Sequence, residues 1–213
     1  MEITWLGHSC FRIKGKDAVL MTDPCGKDTG YTLHKQHADI VTVSHYHAGH
    51  SNTQAIEGEF REIKGPGEYE LKNVFIAGYA TYHDAQEGQE RGKNTVYVIE
   101  MEGVTMCHLG DLGHTLSSDM EEEIGDVGVL FVPAGGLSTV DSTKAAEIVR
   151  SLSSRIVIPM HYRTPVSTRD FEPFDNFLKK AGGKEIEPQP RLNVNKNNLP
   201  LNTEIVVLNY PGS

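Results

Sequence analysis

Cysteine is scarce in this chain. Cys10, Cys25 and Cys107 are odd in number, widely spaced and form no Cys-x-x-Cys pair, which argues against a disulfide framework and predicts reduced, structural thiols. An excess of positive charge is also missing. With a net charge of −9 and a pI near 5.5, a broad nucleic-acid or anionic-membrane surface is not expected, although a local basic patch stays open. No apolar run approaches membrane-spanning length, so no membrane insertion is expected. Met1-Glu2-Ile3-Thr4-Trp5 carries neither a basic nor an apolar leader pattern, and a cytoplasmic location is the expectation. Internal repeats, low-complexity tracts and dividing linkers are absent. Residues 1–213 therefore read as one domain with room for a real core. A homo-oligomer is left open.

Short strands dominate what is present. Ile3–Leu6, Cys10–Lys14 and Ala18–Thr22 form a meander, Ile40–Ser44 is a β-branched buried run, and Glu59–Lys64, Gly67–Leu71 and Val74–Tyr82 follow. A short helix is expected over Thr53–Glu57. Thr95–Glu100 and Val104–Leu109 read as a hairpin. Further on, Ser117–Glu123 reads as a short helix, and Val127–Val132 and Ile156–Ile158 as buried strands. Ala145, Ile148, Val149 and Leu152 mark an amphipathic helix with Asp141 or Ser142 placed to cap it. Phe171–Lys180 predicts a last helix, Lys184–Asn197 an irregular segment and Glu204–Leu208 a closing strand. The mixture predicts an α/β (α+β) fold of two sheets with helices outside.

Chemistry concentrates behind the Ile40–Val43 run. His45, His47 and His50 are three of the ten histidines within six positions. His45 and His47, at i and i+2 where a strand gives out, can point to one side, and the Ala48-Gly49 turn can bring His50 back beside them. Neutral imidazole is the commonest protein metal ligand, and catalytic zinc typically has three protein ligands and one open position. A histidine-rich surface loop is the bland alternative.

Strand ends carry chemistry in layered folds because the sheet holds them rigid. Acidic or histidine residues directly following apolar strands are few: His83 after Val74–Tyr82, Asp111 after Val104–Leu109, and His161 after Ile156–Met160. With the first cluster they predict a metal site.

The ordered set of His-x-His-x-x-His, His83, Gly110-Asp111 and Pro159-Met160-His161-Tyr162 resembles the metallo-β-lactamase fold hydrolases. Thr4-Trp5-Leu6-Gly7-His8-Ser9-Cys10-Phe11 and Thr22-Asp23-Pro24 are similar to one branch, the ascorbate-6-phosphate lactonase-like proteins and relatives of N-acylphosphatidylethanolamine phospholipase D. The resemblance implies a four-layer αββα sandwich with metals at one edge. It places His45, His47 and His83 on a first metal, with Asp111 bridging to a second held by His50 and His161. Asp23 would accept from a ligand imidazole and fix its tautomer; a strand-to-turn cap before Pro24 explains it equally well. The family pattern is His-x-His-x-Asp-His, and Gly49 stands at the aspartate position. One tight metal and a weakened second site are therefore expected. Zinc is the first choice of divalent metal, with manganese, iron or nickel as alternatives.

One bound metal suffices to activate a water, so hydrolysis of a small ester, lactone or phosphoester follows. Phosphodiester cleavage of nucleotides or lipid head groups is one alternative. A metal-binding protein with lost or weak catalysis, because of Gly49, is the other. His8 and His114 are the candidates for proton transfer, whereas His108, within a strand, reads as structural. Gly135-Gly136-Leu137-Ser138-Thr139 is either an anion-binding turn or a plain one. Tyr46 and Tyr162 either line the pocket or pack.

Overall fold

Among residues 1–210, which the computed structural model describes, the strands form two main sheets. The first has the spatial order β14 (Leu192–Asn193), β1 (Glu2–Gly7), β2 (Cys10–Lys14), β3 (Val19–Thr22), β5 (Ile40–Val43), β7 (Arg61–Lys64). The second runs β15 (Glu204–Ile205), β13 (Ile156–Met160), β12 (Val129–Pro133), β11 (Val104–His108), β10 (Lys93–Met101), β9 (Val74–Tyr82), β8 (Gly67–Leu71). A small pair, β4 (Gln36–His37) with β6 (Ile56–Glu57), stands apart. The α-helices are α1 (Ser118–Ile124), α2 (Ser142–Ser151) and α3 (Phe174–Lys180).

Strand direction settles where the chemistry can be. In the first sheet β1, β2 and β3 pair antiparallel and β3, β5 and β7 parallel, so β1, β3 and β5 all end at one rim. In the second, β9, β10 and β11 pair antiparallel and β11, β12 and β13 parallel, so β9, β11, β12 and β13 end together too. Phe11 of one sheet packs 4.5 Å from Phe131 of the other, ring centre to ring centre. At the rim, Tyr97 Oη donates to the Val43 carbonyl (3.0 Å) and Thr95 N–H to the Ser44 carbonyl (2.9 Å). Cross-sheet bonds thus fix the end of β5.

Burial follows each strand's place. β5, β12 and β13 are buried at every residue, as expected of parallel strands covered on both faces, whereas β1 alternates half-buried and buried. Helix α2 lies on β12 and α3 with Ala145, Ala146, Ile148 and Val149 inward. Asp141 caps it, accepting from Thr143 and Lys144 N–H at 2.9 Å each, which stabilises a helix by about 1 kcal/mol. No helix among the described residues is long and apolar enough to cross a membrane.

Four expectations need correction. Thr53–Glu57 is not a helix: a single 3-10 turn spans Thr53–Ala55 without a side-chain cap, and Ile56–Glu57 pairs with Gln36–His37. The last helix starts at Phe174 rather than Phe171, because Pro173 at the boundary is held extended (φ −68, ψ 148). The segment expected to be irregular contains β14, and the closing strand is only Glu204–Ile205.

Candidate metal centre

Seven side chains converge where those strands end. Ser44 leaves β5 and is followed by His45 and His47, and a hydrogen bond from His50 N–H to the His47 carbonyl (2.9 Å) folds the turn back. His83 follows β9, Asp111 follows β11, His161 follows β13, and His8 follows β1. All except His47 are buried. Asp111 Oδ2 is the hub: it lies 3.2 Å from His83 Nε2, 3.2 Å from His161 Nε2, 3.3 Å from His50 Nε2 and 3.8 Å from His45 Nε2. The donor atoms of His45, His47 and His83 all lie within 4.8 Å of one another, and so do those of His8, His50 and His161. Asp111 sits between the two triads.

Local backbone explains why these residues meet. Gly110 is left-handed (φ +57), and a Cβ there would meet Asn94 Oδ1 at 2.4 Å and Ser44 Cβ at 2.6 Å. Only glycine lets the loop pass so close. Asn94 then accepts from the Asp111 N–H (3.0 Å) and donates to the Leu109 carbonyl (3.0 Å), clamping the turn. His8, Asp23 and His161 adopt positive φ values of 54, 36 and 53. Such conformations cost of order 1–3 kcal/mol each and gather at functional sites.

A relay sets the tautomers. Asp23 accepts from the Ser44 N–H (2.8 Å), from Ser44 Oγ–H (2.5 Å) and from His50 Nδ1–H (2.9 Å). Because the serine hydroxyl donates to the carboxylate, its oxygen accepts from His45 Nδ1–H at 2.9 Å. Both imidazoles thereby carry a proton on Nδ1 and turn Nε2 toward Asp111, and His45, held neutral, presents a bare lone pair there. His45 Nε2 and Asp111 Oδ1 have no hydrogen-bond partner among the described residues despite being buried. Lone pairs aimed at a carboxylate repel it unless a positive charge stands between them. The donor set fits a divalent cation.

Electrostatics agree. Burial opposes the charge on Asp111, but His161 and His50 outweigh it and hold the carboxyl well below the usual range. Burial also opposes charge on His50, yet Asp111 and Asp23 push it up to about 10. Burial and then His50 lower His45 to about 3. Burial, then His161 and His50, hold His8 well below its ordinary value. An unfolded imidazole takes its proton near pH 6.5, so between about 3 and 6.5 the unfolded chain binds more protons than folded His45 does. Stability of the metal-free protein is expected to fall as pH drops through that window, by up to about 1.4 kcal/mol per pH unit from His45 alone. Raised His50 works on the other flank, its contribution fading as pH climbs from 6.5 toward 10. Thermal melts with chelator from pH 5 to 9 check this; a melting temperature that increases as the pH is lowered below 6 would contradict it.

The triads open into a pocket of about 400 Å³, lined also by Thr29, Gly49, Arg91, Ser138, Arg169 and Phe171. His114 is not part of it. Its Nε2 accepts from the Tyr82 N–H (3.2 Å) and its Nδ1 lies 2.8 Å from the Thr115 carbonyl, so both ring nitrogens are engaged in holding the loop. Tyr162 packs between Trp5 (5.2 Å) and Phe174 (5.4 Å), and exposed Tyr46 faces Lys64. In the glycine turn, Ser138 and Thr139 N–H both bond to the Gly136 carbonyl and are not offered to a ligand. The sequence reading missed Ser44, Asn94, Arg91 and Arg169. Ser44 borders the histidine cluster and could have been flagged; the others come from remote loops or a strand with no local signal.

A family model for the beta-lactamase superfamily domain matches residues 2–161. A UPF0173 metal-dependent hydrolase of Thermoplasma volcanium is 30% identical over 218 residues, covering 89% of this chain and 96% of that protein. A UPF0173 protein of Pyrococcus furiosus is also 30% identical, covering 84% and 91%. Among solved structures, one from Thermotoga maritima, assigned to the Zn-dependent hydrolases of the metallo-beta-lactamase superfamily, superposes with a TM-score of 0.81. It is 37% identical and covers 97% of both chains.

Proposed function

This chain belongs to the beta-lactamase superfamily, and from that premise we propose that it is a metal-dependent hydrolase of a small anionic ester or phosphoester. One observation carries the reading: Asp111 Oδ2 lies within 3.2–3.3 Å of Nε2 on His50, His83 and His161, between two imidazole triads. His45, His47 and His83 would hold one divalent ion and His50 and His161 contribute to a second, with Asp111 shared. Zinc suits this nitrogen-rich set, and the Thermotoga maritima relative is named for it. A bound cation of this kind supplies a water of lowered pKa and polarises a carbonyl or phosphoryl oxygen.

The protein's own groups do the rest. Asp23 and Ser44 keep His45 and His50 in the binding tautomer. Phe171 packs against His161 at 4.5 Å and closes one wall. The pocket volume falls within the range of small-molecule sites. Arg169 lines it without an ion pair among the described residues, and Arg91 joins it from the opposite loop, paired loosely with Glu90 at 3.5 Å. Two guanidinium groups at the mouth favour a negatively charged substrate.

The test is turnover of chromogenic carboxylic esters, lactones and aryl phosphates by zinc- or manganese-loaded protein, with His45→Ala as control. Silence from fully metallated protein across the panel sinks the hydrolase reading. Arg169→Ala is expected to raise KM for the anionic substrates roughly tenfold, the loss of about one charge-assisted hydrogen bond, while leaving neutral esters and metal content unchanged. Equal losses on neutral and anionic substrates would remove Arg169 from substrate binding.

A further inference from the structure

The sequence pattern that this chain resembles has a carboxylate at position 49, where glycine stands. A Cβ built on Gly49 would meet Thr29 Cγ2 at 3.0 Å, His8 Nε2 at 3.4 Å and His8 Cδ2 at 3.6 Å. The space vacated by residue 49 is thus taken by an imidazole that arrives from the end of β1, 41 positions earlier. We propose that His8 is a metal ligand, completing with His50, His161 and Asp111 a second cation site in which an imidazole replaces the carboxylate that Gly49 cannot supply.

Four observations converge on this role. The donor atoms of His8, His50 and His161 lie within 4.8 Å of one another, as tight a group as His45, His47 and His83. The His8 ring stands 4.1 Å from that of His161 and 4.8 Å from that of His50, centre to centre. Though buried, that ring makes no side-chain hydrogen bond among the described residues, unlike His108, which is satisfied by the Ser9 carbonyl and the Gly110 N–H. Finally, the two-residue turn between β1 and β2, which holds the His8 backbone left-handed (φ 54), places the ring at the rim where the other ligands end. The His8 carbonyl accepts from the Trp5 indole N–H (2.9 Å) and from the His161 N–H (3.2 Å), which ties the two imidazoles through the main chain.

Two consequences follow. The two sites become equal in donors, three imidazoles and the shared Asp111 each, so the second need not be the weak one that Gly49 alone suggests. Because imidazole is neutral and aspartate is not, the doubly loaded centre carries one more positive charge than the family pattern would give it. Anions are held more firmly there as a result.

The inference shares with the hydrolase reading only the presence of metal at this rim, and zinc stoichiometry separates them. Chelator-stripped wild-type protein titrated with zinc alone is expected to take two ions per chain by calorimetry and elemental analysis. His8→Asn, chosen because asparagine tolerates positive φ, is expected to keep one and to bind the second at least as weakly as the roughly 10–100-fold loss that follows removal of a merely supporting residue. His8→Asn/Gly49→Asp returns a carboxylate to position 49 and is expected to recover two. With cobalt as probe, the absorption of the second equivalent should differ between wild type and the double variant, as imidazole gives way to carboxylate. Metal-free melts show that the variants fold, and His8→Gln is carried alongside as a second single substitution. Two ions bound by both single variants with wild-type affinity, or one ion bound by wild type, overturns the role of His8 while leaving the hydrolase reading standing. Absence of any zinc binding by wild type sinks both.

Discussion

Asp111→Asn is expected to strip the protein of bound metal and to take hydrolysis below detection. The carboxylate stands between the two triads, with Oδ2 within 3.3 Å of three imidazole nitrogens. Asparagine has the same shape, so Asn94 can still clamp the main chain and the fold should stand. What disappears is the charge that offsets a cation in a buried setting. Metal affinity should drop by more than the roughly 100-fold upper end for loss of a supporting residue. A second readout comes from the metal-free protein. With Asp111 gone, His50 loses the largest of the influences that raise its pKa. Its contribution to stability, present below about pH 6.5 and lost toward pH 10, should shrink, flattening the alkaline side of the stability profile. An Asn variant that retains metal and turns over at even a few per cent of wild type would show that the hub lies elsewhere.

Asp23→Ala is expected to have the largest effect on stability. The side chain is fully buried and accepts three hydrogen bonds, two from Ser44 and one from His50. Its removal leaves those donors without a partner where water cannot reach, each at about 1–3 kcal/mol. It also leaves a protonated His50 with one carboxylate fewer. A total loss of about 3–5 kcal/mol is the expectation, in line with breaking a buried pair from one side. The effect should extend to the metal, because His45 and His50 are then free to shift their protons and bind about 10–100-fold more weakly. Chemical denaturation with and without zinc measures both. A shift under 1 kcal/mol would reduce Asp23 to the simple cap before Pro24 that the sequence also allows.

Much of this arrangement can be read from the chain because strand direction does the placing. A run such as Val74–Tyr82 or Ile156–Met160 announces its own end, and the residue that follows sits at the rim whatever the intervening loops do. His83, Asp111 and His161 could therefore be found without coordinates. His8 could be placed near the site but not on the cation, since that depends on an absent side chain 41 residues away. The boundary at Phe171 misled for a related reason. Its apolar character suits a helix, but the residue is spent on the pocket wall against His161 and His8, and Pro173 starts the helix later. Leu192–Asn193 gives no periodic signal in two residues, and it becomes a strand only because Glu2 and Ile3 offer an open edge. The family model and the relatives establish the superfamily; a narrower branch within it does not follow from them.

The same strand directions that collect the carboxyl ends on one side send three hairpin tips to the other. There the backbone N–H of Lys16 donates to the Glu102 carboxylate (2.5 Å), and the Asn73 side chain donates to Asp17 (3.3 Å), so the tips latch the base of the sandwich. A fluorophore or surface anchor attached through the exposed Lys16 side chain at that latch would leave the catalytic mouth facing solution, and immobilised protein oriented this way would present every pocket outward.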